Sequence, residues 1–136
     1  MTPPRRQRRL SGDAGNGVVE FTLVTVLLLG MFLLIVQVGL VLHSRNVLVA
    51  AAAEGARYGA NADRTAEQGA ERARAVASDS LGGMAGDNVT AAAGPAPAAG
   101  GPGVVEIVVH SELPVLFVPG GFGLTVRGHA VKEGVG

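Results

Sequence analysis

The chain has no cysteine and no tryptophan, and aromatic residues make up only 4% of its 136 positions. Without cysteine there can be no disulfide, no thiolate metal site and no cysteine nucleophile. Lys and Arg number 11, as do Asp and Glu, so the formal net charge is zero. A chain so balanced lacks the basic face that meets phosphates, and no nucleic-acid partner is expected. There is no HExxH pair, no GxSxG elbow, no P-loop and no GxGxxG turn. His43, His110 and His129 fall on different segments without metal-ligand spacing, although a hairpin between the last two segments would let His110 and His129 approach each other. No catalytic residue, metal ligand or cofactor is assigned, and the chain reads as a non-enzyme. Glycine (21) and proline (7) favour turns and linkers over a dense core, yet 48% of the chain is hydrophobic. That excess must be concentrated somewhere.

It is concentrated near the start. Phe21 to Leu42 (FTLVTVLLLGMFLLIVQVGLVL) carries no charged residue. Twenty-two helical residues span about 33 Å, against a hydrocarbon core of about 30 Å. The polar positions Thr22, Thr25 and Gln37 form no stripe at helical spacing, so a soluble core helix is excluded and a transmembrane helix is expected. The run is also longer than the apolar region of an ordinary cleaved secretory signal, about 7–15 residues. Arg5, Arg6, Arg8 and Arg9 crowd the N-terminal flank, whereas the other flank offers Arg45 and, further on, Arg57. The positive-inside rule then keeps the N-terminus in the cytoplasm and exports the residues after Leu42. The expected location is the cytoplasmic (inner) membrane, in a single pass.

The junction Gly15-Asn16-Gly17-Val18-Val19-Glu20-Phe21 places a carboxylate at the edge of the apolar run. An acidic side chain there is costly, less at the interface than at the centre, and it calls for a reason. One reason is simple residence in the headgroup zone, beside the positive end of the helix dipole. The other comes from resemblance. A glycine five residues before a glutamate, behind a basic leader and ahead of an apolar helix, resembles the class III signal of type IV pilins. Gly17 would place Glu20 third in a cleaved chain and Gly12 would place it eighth; Gly15 matches the pilin spacing. Val19-Glu20-Phe21, followed at a distance by Ala50-Ala-Ala-Ala-Glu54-Gly55-Ala56-Arg57-Tyr58-Gly59, is similar to TadE-like pilus-assembly proteins. These are minor pilins or pseudopilins of the tight-adherence (Flp, type IVc) pilus. The resemblance covers Gly15 to about Ala60, with Asn16-Gly17 departing from the small apolar residues commoner after the glycine. It implies processing residues Gly15, Asn16, Glu20 and Phe21, with cleavage after Gly15 and Glu20 as fifth residue of the mature chain. It also implies a carboxylate that pairs with a neighbour's new amino terminus. The implied partners are the lipid bilayer, prepilin peptidase and other pilins, pseudopilins or pilus-assembly membrane proteins. The alternative is an uncleaved single-pass protein displaying a small ligand-binding or sensor domain.

Beyond the membrane the helix continues to Ala60. Ala51, Gly55 and Gly59 recur every four residues, a ridge that lets another helix backbone come close, either the chain's own second helix or another subunit's. Glu54 and Arg57, three apart, are spaced for an exposed ion pair. Thr65-x-x-Gln68 reads as a capping box opening a second helix to about Leu81, with a thin apolar face of Ala66, Ala70, Ala73, Val76, Ala77 and Leu81. Gly82 to Gly86 reads as a turn and Asn88 to Ala93 as a short strand; 94–103 is a low-complexity connection. Val104 to Glu112 alternates as a strand with Val105, Ile107 and Val109 on one face. Leu124 to Lys132 is its antiparallel partner, with Leu124, Val126 and Ala130 inward and Arg127 opposite Glu106 or Glu112. The apolar stretch 113–123 is read as a loop tucked on the core, or as a contact with the outer leaflet or a pilus partner. The expected fold is α+β: a long N-terminal transmembrane helix continuing outward, a second short helix and a small antiparallel sheet in an exported domain. The boundaries are 1–15 for the leader, 16–62 for the membrane and extended helix, and 63–136 for the exported domain.

Overall fold

A computed structural model describes residues 13–95, 103–114 and 120–132. The basic leader, most of the connection 94–103 and the centre of the apolar stretch 113–123 lie outside these residues. Helix α1 runs from Asp13 to Ala60, 48 residues without interruption. The chain divides into two compact units between Val36 and Gln37, within α1.

The first unit contains the apolar part of α1. Its side chains have no core to enter: Phe21 is 74% exposed, Leu27 72%, and none of the helix's most apolar window is buried. Thr22 and Thr25 do not create a wet side, because each hydroxyl donates back to a carbonyl four residues earlier (Val18 and Phe21), both at 2.8 Å. With its backbone and threonine hydroxyls satisfied internally, the segment meets the requirement that hydrocarbon imposes on a spanning helix. It is long and apolar enough to cross a membrane. The chain is a single-span membrane protein of α+β architecture.

In the second unit the C-terminal part of α1 is followed by α2 (Ala66–Leu81), α3 (Gly83–Asp87) and three strands, β1 (Val89–Ala93), β2 (Val104–Leu113) and β3 (Phe122–Val131). The sheet is antiparallel in the order β1-β2-β3, with Ala91 opposite Val109 and Val109 opposite Val126. Leu48, Ala51, Ala52 and Ala56 of α1 join Ala70, Ala73 and Ala77 of α2 and the inward strand residues Val89, Val105, Ile107, Val109 and Val126 in one core. Helical alanine supplies little apolar area, so the unit depends on close approach. At Gly128 the approach is closest: a Cβ there would strike the backbone carbonyl of Ala52.

The strand faces agree with the alternation read from the sequence; the ladder runs two register pairs further at the hairpin end, Glu112 opposite Gly123 and Leu113 opposite Phe122, and β3 ends at Val131, one residue short of Lys132. The Gly82–Gly86 turn is corrected in part. Gly82 and Gly83 do reverse the chain at φ +60° and +51°, but residues 83–87 then close a single helical turn. Gly86 permits this by lying on Ser78, where a Cβ would come within 2.5 Å of the carbonyl oxygen.

The capping box forms. The Gln68 amide donates to Thr65 Oγ1 at 3.3 Å, and the Thr65 amide donates to Gln68 Oε1 at 3.1 Å. Glu67 lies in the same first turn, and its carboxyl is held below the usual carboxylate range by a backbone amide and then by the Thr65 hydroxyl. A lowered carboxyl stabilises the fold above its unfolded pKa and ceases to do so as pH falls through the folded value. Thr65→Ala should destabilise the domain by about 1 kcal/mol, a typical N-cap loss. The check is a lower thermal midpoint by circular dichroism in detergent; an unchanged midpoint would show that tertiary packing alone starts α2.

Candidate functional site

The junction residues lie in the first turns of α1. Gly15 to Glu20 is five residues, about 7.5 Å along the axis. All of them, with Phe21, are exposed. An added Cβ at Gly15 or Gly17 would meet nothing within 4 Å. The fold therefore makes no demand for glycine at either position. Glu20 has no hydrogen bond or ion pair among the described residues. Its carboxylate is free to meet a partner from outside the chain.

The small-residue ridge is occupied. A Cβ at Gly55 would come within 2.5 Å of the Gly69 carbonyl oxygen and 2.6 Å of the Ala73 Cβ; at Gly59 it would come within 3.0 Å of the Thr65 carbonyl oxygen. Gly69 returns the constraint, its Cβ position being 2.5 Å from the Gly55 carbonyl oxygen. Ala51, one step earlier on the ridge, is fully buried in the core. The ridge thus packs against the chain's own second helix. Sequence reading does not single out Gly69, though Gly69 and Ala73 repeat the small-residue spacing of the ridge they meet.

This packing also redirects the charges. Glu54 does not pair with Arg57; its Oε1 lies 3.8 Å from Nη2 of Arg72, because α2 runs beside it. Both side chains are about half exposed, so the pair contributes little. On the outer sheet face, Glu106 is 3.9 Å from Nη1 of Arg127, the expected cross-strand pair. Its direct opposite is His129, whose Nε2 lies 2.8 Å from Glu106 Oε2. His110 instead faces Thr125, with Nδ1 2.9 Å from the hydroxyl. The register therefore separates His110 from His129, and the two-histidine approach is corrected. Among the described residues no group of three His, Asp or Glu side chains is placed to hold a metal.

A shallow cavity of about 190 Å³ lies beside the Gln37–Ser44 stretch of α1. Leu40, Val41, Leu81, Ala85, Leu113 and Pro114 form its apolar walls; Gln37, His43, Ser44 and Ser80 supply the polar ones. Gln37 is the one polar residue of the apolar run with no internal hydrogen bond among the described residues.

A helix with a charge-free run long enough to cross a membrane, together with a small alanine-cored α+β unit, defines a class, the single-span protein with an appended domain. The model for TadE-like protein matches residues 15–57, so the junction, the apolar run and the ridge as far as Gly55 are similar to a TadE-like segment. This is a pilus-assembly family. No curated protein and no solved structure matches the chain.

Proposed function

We propose that this chain is a minor pilin or pseudopilin of a tight-adherence (Flp, type IVc) pilus, anchored in the cytoplasmic membrane and cut by prepilin peptidase after Gly15. The observation that carries the reading is the TadE-like match, which begins at Gly15 and runs through the whole apolar helix. The chemistry of the junction supports it. Cleavage would remove 15 residues, including Arg5, Arg6, Arg8 and Arg9, and leave Glu20 fifth from a new amino group. A carboxylate drawn into lipid needs a cation close by, and a neighbouring subunit's amino terminus is one. The appended domain then stands outside the membrane for pilus partners.

The direct test is the mass of the mature N-terminus in cells expressing the cognate peptidase. A chain beginning at Asn16 supports the proposal. One retaining Met1 or Thr2 removes the pilin mechanism and leaves an anchored display domain. Topology is tested separately. A reporter active only outside the cytoplasm, fused after Gly136, should be active, because the arginine cluster lies on the N-terminal flank. Activity confined to a cytoplasmic reporter would invert the arrangement.

A further inference from the structure

We infer that the cavity beside Gln37–Ser44 takes a segment of the acyl chain of a phospholipid in the leaflet nearer the domain, so that the Leu113 and Phe122 end of the sheet is seated in the membrane surface. The inference rests on the reading of α1 as a membrane span and goes beyond it. The cavity wall on α1 runs from Gln37 to Ser44, a rise of about 10 Å along the helix. The charge-free run ends within that stretch, at Leu42, and Arg45 is the first full charge beyond it. The cavity therefore straddles the level at which acyl chains give way to headgroups.

The opposite wall belongs to the domain: Leu81 at the end of α2, Ala85 in α3, and Leu113 with Pro114 at the end of β2. Register sets Phe122 opposite Leu113, and Phe122 is 48% exposed. Leu113 is buried in the cavity wall, and Phe122 beside it presents an exposed apolar side chain at the same end of the sheet. The polar groups at the cavity are uncharged amide and hydroxyl groups plus His43, which suits an ester and headgroup region more than bulk hydrocarbon. Size and depth together indicate the occupant. A partner helix is about 10–12 Å across and does not enter a cavity of about 190 Å³, whereas a segment of an unbranched acyl chain does.

The experiment uses the full wild-type chain in phosphatidylcholine nanodiscs containing a small fraction of phosphatidylcholine with a diazirine on its acyl chain. After illumination, adducts are mapped by tandem mass spectrometry. Adducts on Leu81 and Leu113, in addition to those on the Leu27–Leu34 stretch of α1, are expected. Ala85→Phe, which fills the cavity from one wall, should reduce the Leu81 and Leu113 adducts at least threefold and leave those on Leu27–Leu34 unchanged. Adducts on Leu27–Leu34 alone would overturn the inference and leave the membrane span standing. Their absence from Leu27–Leu34 as well would overturn both. A wild-type chain whose Leu81 and Leu113 are protected from the lipid probe by a second copy, shown by chain-to-chain cross-links at those residues, would also overturn it.

Discussion

Gly15→Val should abolish N-terminal processing in cells that express the cognate prepilin peptidase, leaving a chain 15 residues longer than the processed one. A peptidase cleft that closes around bare backbone has no room for a branched Cβ. The structure makes this variant a clean probe. Position 15 is exposed, and an added Cβ there meets nothing within 4 Å, so the fold supplies no competing reason for failure. Gly17→Ala is the matched control, since position 17 is equally open and lies on the wrong side of the proposed bond. It should be processed normally. Glu20→Ala should separate the two steps, being cleaved but failing to assemble, because the carboxylate offered to a neighbour is gone. The measurements are the intact mass of the membrane-extracted chain and the amount of surface pilus. Normal cleavage of Gly15→Val would move the processing site elsewhere, and normal assembly of Glu20→Ala would remove the proposed charge pairing.

Gly55→Leu should unfold the α+β domain while leaving the apolar helix able to insert in a membrane. At Gly55 a Cβ already meets the backbone of α2 at 2.5 Å and the Ala73 Cβ at 2.6 Å, and three more carbons cannot be placed without separating the helices. Overpacking typically costs about 1–3 kcal/mol, and contact with backbone rather than a pliable side chain puts this site at about 3 kcal/mol or above. The alanine-rich core has little reserve against it: five of its buried side chains with no exposure at all are alanines on α1 and α2. Gly30→Leu makes the same chemical change on the same helix, where an added Cβ meets nothing within 4 Å, and should be tolerated. Limited proteolysis of the detergent-solubilised protein distinguishes the two. Rapid loss of the domain in Gly55→Leu beside a resistant Gly30→Leu is the expected result. Equal resistance would mean that the α1–α2 seam opens without cost.

The junction that carries the proposed function is legible without coordinates, because its signals are local. A glycine at fixed distance from a glutamate, a basic flank and a charge-free run are properties of neighbouring residues, as are the capping box at Thr65 and the alternation of β2. Residues far apart in the chain are another matter. The ridge of Ala51, Gly55 and Gly59 suits the chain's own helix and a neighbour's equally, and only the meeting of Gly55 with Gly69 decides between them. The partner of Glu54 escapes sequence reading for the same reason: spacing along one helix offers Arg57, whereas packing brings Arg72. Register has a similar effect on the sheet. Alternation puts both histidines on the polar face, but strand pairing sets His129 beside Glu106 and His110 beside Thr125.

Hydrophobic period and local chemistry are enough to establish that one helix is apolar all round, that a carboxylate stands at its edge, and which faces of the later segments turn inward. None of these requires knowledge of the residues lying opposite. Which glycines are indispensable is a question that packing alone answers. Gly15, Gly30 and Gly55 are the same residue in the same helix, yet the first two face open space and the third carries another backbone at contact distance. The cavity at Gln37–Ser44 belongs to the same category, since its walls come from segments separated by up to 77 positions, Gln37 to Pro114, and exist only once the hairpin end of the sheet meets α1.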